Sequence, residues 1–505
     1  MKKNFFHAVA LSALLALGAT GAQAQRSYDC APIKPEYQVM ADEVISLNME
    51  NPDKANKSFM KLAKKIAGSK EDLVSVGTYF WEHGNLPAAK MCADKAYQAA
   101  PDYIPGLMLS GEVYMKMQNW GLAGQRFDEV LAYDENYVPA LKRNAFVYKN
   151  INPHVAIDAL NKIKGLDPSY IEADKILGDI YYKANQYKDA INSYELYYKA
   201  APKDANLDIR SCENFLQSLY SQANFNRITE VTTELLPLAP KDMVIRRMDF
   251  FAKVNKIGEA MDYEAAIADA EKASAYLSDT EYADSNYISI DYEYAAALAK
   301  EKQDYPAAIA AYEKALEKDT SKVVNYRELA KTFSSNKQTD KALATYQTYI
   351  EKKGDKVDLT DYFGLGQEYL KACRNEQDPA KKDEYIAAGH AAFNKVLEKE
   401  PGYYKAVMQQ ANLHIRNAQE AEDEPKALYE KALSMMPSKN DGKSSEEDVL
   451  SANPHRHLAA QYLAFYYAQK EDFDSCRKYV NLMLEADPES SNGKSFDATL
   501  KSMGK

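Results

Sequence analysis

Hydrophobic and small residues recur along most of the chain in two alternating patterns. The first joins a hydrophobic or small residue, a glycine or alanine next to it, and an aromatic residue three places further on. Its copies include Val76-Gly77-x-x-Phe80, Ser110-Gly111-x-x-Tyr114, Leu177-Gly178-x-x-Tyr181, Leu329-Ala330-x-x-Phe333, Leu365-Gly366-x-x-Tyr369 and Leu463-Ala464-x-x-Tyr467. The second places an alanine four residues before an aromatic, as in Ala123/Phe127, Ala190/Tyr194 and Ala342/Tyr346. Because residues three and four apart share one face of a helix, both patterns predict amphipathic helices.

Polar residues and prolines separate these predicted helices at a regular interval. Asn119 and Asp304 each precede an aromatic residue and mark the turn between a first helix and a second helix. Pro168 and Pro202 end second helices, because proline disfavours helix at the residue before it, and they lie 34 positions apart. The chain is therefore predicted to be a tandem array of helix pairs.

The two patterns together resemble the tetratricopeptide repeat, in which a helix with Trp-x2-Leu-Gly-x2-Tyr precedes one with Ala-x3-Phe and a closing proline. The resemblance spans most of residues 36–490, and its clear copies are 70–103, 104–137, 138–170, 171–204, 323–356 and 457–490. Copies elsewhere diverge. The resemblance implies an all-α fold, a right-handed superhelical solenoid of about twelve helix pairs. It also implies an extended concave surface lined by the first helix of each pair.

The first 24 residues carry the features of an export signal. Lys2 and Lys3 precede an apolar run at 8–17, and Ala22-Gln23-Ala24 supplies the small-x-small pattern of a cleavage site. The apolar run is about half of the roughly 20 residues that a membrane-spanning helix needs, which disfavours the alternative of an N-terminal anchor. We therefore expect cleavage after Ala24 and a mature chain in the periplasm or the medium. No later apolar run is long enough to predict a membrane span.

Segments outside the repeat pattern set the remaining boundaries. We predict an N-terminal linker at 25–35, a repeat array at 36–437, an exposed polar linker at 438–456 and a last repeat at 457–490. The linker at 438–456 is rich in Ser, Asn, Asp and Glu, which is typical of loops. Phe496, Leu500 and Met503 share one helix face, so 491–505 is predicted to be a helix that caps the last repeat.

Composition and charge exclude several classes of function. Acidic residues outnumber basic ones by 74 to 63, for a formal charge of −11, whereas binding to nucleic acid needs a basic surface. The scattered cysteines form no C-x-x-C pair, so neither a disulfide framework nor a structural zinc site is expected. They are predicted to be mostly small buried residues: Cys30, Cys92, Cys212, Cys373 and Cys476.

Candidate catalytic and cofactor motifs are incomplete. Gly442-Lys443-Ser444 and Gly493-Lys494-Ser495 imitate the end of a phosphate-binding loop, but each lacks the glycine that must precede it. His455-x-His457 is the only close histidine pair, and no carboxylate ligand accompanies it in the sequence. We therefore predict no cofactor, no metal and no catalytic residues.

An exported scaffold that binds partner proteins or peptides in the concave groove is the function that these features favour. The predicted groove residues lie on the first helices of four clear units, one place after the core positions: Trp81, Met108, Met115, Phe146 and Tyr182. Aromatic residues and Met dominate binding energy at protein interfaces. The alternative for Trp81 or Phe146 is packing between adjacent helices.

Partner identity stays open at this level. A glycan- or nutrient-binding component of an outer-membrane complex is an alternative function, and an enzyme with a site assembled across repeats is another. Some proteins similar to this one clamp an acidic C-terminal tail with a lysine and an asparagine four residues later. Here Lys142 is followed by Phe146 and Lys175 by Asp179, so that mode of binding is not expected. Peripheral association with an envelope complex is compatible with the predicted export.

Overall fold

The computed structural model describes residues 28–415, 422–438 and 443–505, so the predicted signal peptide lies outside the described residues. Among the described residues all regular secondary structure is helical and no strand is present. This confirms the predicted all-α fold built from helix pairs. Contacts divide the chain into two compact units, unit 1 (residues 1–248) and unit 2 (residues 249–505), and the boundary falls within one helix.

Unit 1 is built from helix pairs in which each first helix packs against the second helix that follows it. Its helices are α1 (Pro35–Glu50), α2 (Pro52–Ile66), α3 (Lys70–Glu82), α4 (Leu86–Ala99), α5 (Ile104–Lys116), α6 (Trp120–Tyr133), α7 (Val138–Tyr148), α8 (Pro153–Leu166), α9 (Glu172–Lys183), α10 (Tyr187–Ala200), α11 (Ile209–Ser221) and α12 (Phe225–Leu235). Helix α13 (Met243–Lys256) contains the boundary between the units.

Unit 2 repeats the same arrangement and adds a terminal helix. Its helices are α14 (Tyr263–Ala273), α15 (Ser289–Glu301), α16 (Tyr305–Lys318), α17 (Val323–Ser335), α18 (Thr339–Lys353), α19 (Leu359–Asn375), α20 (Pro379–Lys399), α21 (Tyr404–His414), α22 (Asp423–Met435), α23 (Glu446–Gln469), α24 (Phe473–Ala486) and α25 (Ser491–Ser502). Short 3-10 helices lie at Ile257–Glu259, Ser274–Ser278, Asp284–Asn286 and Gly354–Lys356. Leu500 of α25 is buried in the core of the last repeat.

In several first helices the glycine of the pattern sits directly under an aromatic ring of the second helix, whereas Gly77 lies against Leu109 and Cys92. A methyl group at Gly111 would lie 2.5 Å from the nearest ring carbon of Phe127, and one at Gly178 would lie 2.5 Å from Tyr194. Such distances are far shorter than van der Waals contact, so any larger residue would force the two helices apart. The repeated glycine therefore sets how closely the helices of a pair approach.

The turn inside several of the pairs is also repeated. In these turns the residue before the second-helix cap has a left-handed backbone, for example Gln118 with φ 58° and Ala223 with φ 52°. The cap residue Asn119 then donates its N–H to the carbonyl of Tyr114 at 2.9 Å and accepts the N–H of Leu122 at 3.2 Å. These bonds satisfy backbone groups at the end of one helix and the start of the next.

The predicted polar linker at 438–456 differs from the structure. Residues 446–456 form the first part of α23, which begins at a capping box in which Ser445 and Asp448 exchange hydrogen bonds at 2.9 and 3.1 Å. Val449 and Ala452 are buried, so one face of this polar stretch packs on the core. The cap and these two apolar residues outweigh the polar composition, and Pro454 is accommodated inside the helix.

Most of the cysteines are buried, as the sequence predicted. Cys92, Cys212, Cys373 and Cys476 are buried free thiols, and Cys30 is half-buried. Burial raises the pKa of Cys92 to about 12, so this thiol stays protonated and unreactive at neutral pH.

In the part of the chain that the structure describes, none of the helices has an apolar stretch long enough to cross a bilayer.

Candidate interaction surface

Several first helices of unit 1 pack directly on one another. α1 packs on α3, α3 packs on α5, and α9 packs on α11. We call the surface formed by one line of side chains on each of α3, α5, α7 and α9 the inner face. The inner face is defined by four rows of side chains: Val74, Thr78 and Trp81; Met108, Glu112 and Met115; Lys142, Phe146 and Lys149; Lys175, Asp179 and Tyr182. In a solenoid of this kind the equivalent surface is the concave one.

The structure separates the predicted groove residues into two groups. Trp81 and Met108 are 3% and 0% exposed, and both belong to the hydrophobic core of unit 1. The Trp81 indole N–H donates to the backbone carbonyl of Glu112 at 3.3 Å, which ties α3 to α5. These two residues therefore do not present contact surface to a partner, contrary to the prediction. Trp81 instead follows the alternative of packing between adjacent helices.

The remaining predicted residues reach the surface. Met115 is half-buried beside the core, and Phe146 is 41% exposed. Tyr182 is half-buried, and its hydroxyl donates to Oε1 of Gln217 on α11 at 2.6 Å. Phe146 therefore offers the largest apolar surface among the five predicted residues.

A segment that sequence analysis did not place belongs to the same hydrophobic core as Trp81 and Met108. Residues 28–34 have no regular secondary structure and pack against the inner face of unit 1, so they are not the free linker that we predicted for 25–35. Tyr28 is 4% exposed, and its hydroxyl is 2.8 Å from Oγ1 of Thr78 on α3. We call residues 28–34 the N-terminal arm.

Two further contacts hold the N-terminal arm along α3. The thiol of Cys30 is 3.8 Å from Oγ1 of Thr78, and the ammonium of Lys34 is 2.9 Å from a carboxylate oxygen of Asp72. Because Thr78 lies near the end of α3 and Asp72 near its start, the arm runs antiparallel to this helix. Burial raises the pKa of the Tyr28 hydroxyl strongly, and the Thr78 hydrogen bond opposes that rise only in part.

The surface beneath the arm is polar as well as apolar. Thr78 and Glu112 are each 2% exposed, although they occupy the same row position as Phe146 further along the inner face. The carboxylate of Glu112 accepts a hydrogen bond from Nε of Arg143 at 2.6 Å. Buried polar groups need such partners because an unpaired one is costly. The arm supplies a hydrogen-bond partner for the buried Thr78 hydroxyl, and Arg143 supplies one for the buried Glu112 carboxylate.

An open cleft adjoins the covered region. It has a volume of about 400 Å³, lies between α7 and α9, and is lined by Val138, Lys142, Arg143, Phe146, Tyr170 and Ile176 among others. The Phe146 ring is 6.2 Å from that of Trp120, and the ammonium of Lys149 is 4.5 Å from its centroid. Lys142 lies 3.8 Å from the centroid of Tyr170. The cleft therefore combines apolar side chains with cationic ones, and Glu172 adds one carboxylate to its lining.

The charges near this cleft are partly neutralised from within the chain. Lys175 contacts Glu172 at 2.6 Å and Asp208 at 3.0 Å. Burial disfavours its charged form, but the hydrogen bonds to these two carboxylates raise the pKa of Lys175 above its ordinary value. Burial lowers the pKa of Lys149, with the charge of Lys183 acting in the same direction.

Unit 2 contains a histidine pair that the sequence did not reveal, because its members are far apart in the chain. Nε2 of His390 lies 2.6 Å from Nε2 of His414, and Nδ1 of His414 lies 3.1 Å from Glu424. Burial, together with the neighbouring His414, lowers the pKa of His390. No cluster of three metal-binding side chains occurs in residues 28–415, 422–438 and 443–505. The distance between the two Nε2 atoms fits a hydrogen bond in which one ring donates and the other accepts.

The chain matches no protein-family model and no curated protein. Solved structures similar to it include the C-terminal part of a TPR repeat-containing protein from Cytophaga hutchinsonii, with 19% identity and a TM-score of 0.44, covering 56% of this chain and 98% of that one. YrrB, described as a TPR protein with an unusual peptide-binding site, has 16% identity, a TM-score of 0.33, and coverage of 37% and 95%. PilW, a type IV pilus biogenesis factor, has 14% identity, a TM-score of 0.32, and coverage of 42% and 98%.

Proposed function

We propose that this chain of tetratricopeptide-type helix pairs is an exported, non-enzymatic scaffold that binds a segment of a partner protein on the inner face of unit 1. The observation that carries the proposal is the open cleft between α7 and α9, where Phe146 is exposed on an otherwise ordered helical layer. Exposed aromatic side chains in a cleft are typical of interaction sites. The N-terminal arm supports it, because this irregular segment already lies along the neighbouring part of the same face.

The chemistry of the cleft suggests the kind of segment that it accepts. Val138, Phe146 and Ile176 provide an apolar contact for one aliphatic or aromatic side chain. Lys142 at the cleft favours a carboxylate on the partner, since opposite charges at an interface give orientation and specificity, whereas Arg143 is already paired with Glu112. We therefore propose a partner segment in which an apolar residue is flanked by an acidic one.

Substitution of Phe146 by aspartate is expected to reduce capture of the partner about tenfold or more, because an interface hot spot contributes about 2 kcal/mol. The measurement is quantitative mass spectrometry of proteins retained from envelope extract by the immobilised chain, followed by titration with the retained partner. The melting temperature should change little, since Phe146 is 41% exposed.

The matched control for this experiment is Leu196 of α10, which is 52% exposed on a second helix. Leu196→Asp places the same charge on a second helix, outside the lining of the cleft, and should leave capture unchanged. Equal retention of every protein by wild type and by Phe146→Asp would remove the cleft from the proposal. Loss of capture in both variants would point to charge alone as the cause.

Export is proposed from the N-terminal sequence, and it predicts a mature chain that begins at Gln25. Lys2, Lys3 and the pattern Ala22-Gln23-Ala24 are its basis. Mass spectrometry of the chain recovered from the periplasm or medium of the producing cell should give an N-terminal peptide starting at Gln25. Recovery of the intact N-terminal Met1 on the native protein would contradict it.

A further inference from the structure

The N-terminal arm covers one part of the inner face and leaves the neighbouring part open. At equivalent row positions, Thr78 and Glu112 are 2% exposed, whereas Phe146 is 41% exposed. The covered residues include Asp72 and Thr78, whose polar groups bond to the arm itself. A surface that exists only to close a core is usually apolar. Polar groups matched by an irregular segment are instead the arrangement found where a peptide is recognised.

We infer that the region under the N-terminal arm is a second peptide-binding site, and that the arm is its built-in and displaceable occupant. This inference rests on the proposed function, since it treats the inner face as a binding surface. The arm shows what the site accepts: a tyrosine whose ring fills the pocket beside Thr78, and a lysine six residues later that pairs with Asp72. A partner segment with this spacing of tyrosine and lysine competes with the arm.

The anchors of the arm are few. Tyr28 is the deeply buried anchor, and the Lys34 side chain is half exposed although it pairs with Asp72. The arm precedes α1 and makes no helix or sheet pairing of its own. It can therefore leave the inner face without unfolding a repeat. A tethered segment acts at an effective concentration of about millimolar, so it suppresses a weak competing ligand and yields to a stronger one.

The test uses the full chain and a fluorescent peptide with the sequence of residues 28–35, in which serine replaces the cysteine. In the released variant, Tyr28→Ala and Lys34→Ala remove both anchors. Fluorescence anisotropy should show that the released variant binds the peptide about tenfold or more tightly than wild type, because the competing arm is lost. A peptide with alanine in place of tyrosine should bind neither form.

A locked variant supplies the opposite control. The Cys30 thiol lies 3.8 Å from Oγ1 of Thr78, so Thr78→Cys places a thiol beside it. The other four cysteines are buried, and oxidised glutathione should therefore join Cys30 to the introduced thiol while it is itself reduced to glutathione. The locked chain should bind no peptide, and reduction with dithiothreitol should restore weak binding.

Three results would overturn the inference. The first is no peptide binding by a folded released variant. The second is equal binding by released, wild-type and locked chains, which would place the peptide elsewhere. The third is that both the released variant and the milder Lys34→Glu variant unfold α3, as seen by hydrogen exchange, since the arm would then be required for the folding of α3. Because the probe is the chain's own sequence, these failures leave the effect of Phe146→Asp on partner capture untouched.

Discussion

Replacing Trp81 by alanine is expected to destabilise unit 1 by about 3–5 kcal/mol, the usual cost of removing a buried tryptophan. The indole is 3% exposed and is packed in the core that contains Tyr28, Phe80 and Met108. Its removal leaves a cavity and also leaves the backbone carbonyl of Glu112 without the indole N–H at 3.3 Å. Both losses fall between α3 and α5.

The chain supplies a matched control in its second tryptophan. Trp120 is 38% exposed at the start of α6, so Trp120→Ala should cost about 1 kcal/mol, in the range of an ordinary partly exposed substitution. Hydrogen exchange should show increased opening of α3 and α5 only for Trp81→Ala, and calorimetry should show the larger drop in melting temperature for that variant. Equal effects of the two substitutions would mean that Trp81 is not a core residue.

This expectation corrects the role that the sequence pattern assigned to Trp81. Its position one place after the core stripe of α3 is a surface position in an isolated helix pair. The position becomes buried because α5 packs on α3 and the indole N–H bonds to the Glu112 carbonyl within the core of unit 1. This contact comes from the next repeat, so no periodicity within one helix pair could indicate it.

The parts of the fold that the sequence predicted are those that depend on local spacing. A glycine or alanine position, such as Gly111 under Phe127, recurs in every clear unit, and capped turns such as the one at Asn119 recur in several of them. The prediction of a polar linker at 438–456 was wrong because it relied on polar composition. It did not take into account the capping box at Ser445, whose partner Asp448 stands three residues later in the sequence. That signal was present and is local.

The parts that the sequence could not predict depend on contacts between distant positions. Tyr28 and Thr78 are 50 residues apart, and Lys34 and Asp72 are 38 apart. The arm has too few residues for a periodic pattern, so its packing on the inner face is invisible before the fold is known. The same holds for His390 and His414 in unit 2. The exposed Phe146 could be proposed from its helix position alone, and its role in binding stays a prediction.

Replacing Asp361 by alanine is expected to produce the largest loss in unit 2, about 3–5 kcal/mol, because it leaves buried partners of a carboxylate unpaired. Asp361 is buried at the start of α19. One of its oxygens accepts the hydroxyl of Tyr349 at 2.5 Å, and the other accepts the backbone N–H of Asp358 at 2.9 Å and pairs with Lys353. The carboxylate thus joins the end of α18 to the start of α19.

The physical reason for a large effect is that three donors converge on one side chain. Burial disfavours the charged form of Lys353, and its hydrogen bond to Asp361 raises the pKa of the ammonium above its ordinary value in spite of that. Without the carboxylate the Tyr349 hydroxyl loses its acceptor, and the Lys353 ammonium keeps only the longer contact with Asp358 at 3.4 Å. Asp361→Asn keeps the shape but not the charge, so its cost should lie between those of alanine and wild type.

Hydrogen exchange of α18 and α19, with calorimetry of the whole chain, measures this effect. The matched control is Asp355, an exposed carboxylate in the same connection, and Asp355→Ala should change stability by less than about 0.5 kcal/mol. If Asp361→Ala opened α18 and α19 no more than Asp355→Ala does, the carboxylate would not be joining the two repeats. Since α18 packs on α19, a true loss should spread to both repeats around that contact and leave the amides of α3 and α5 in unit 1 unchanged.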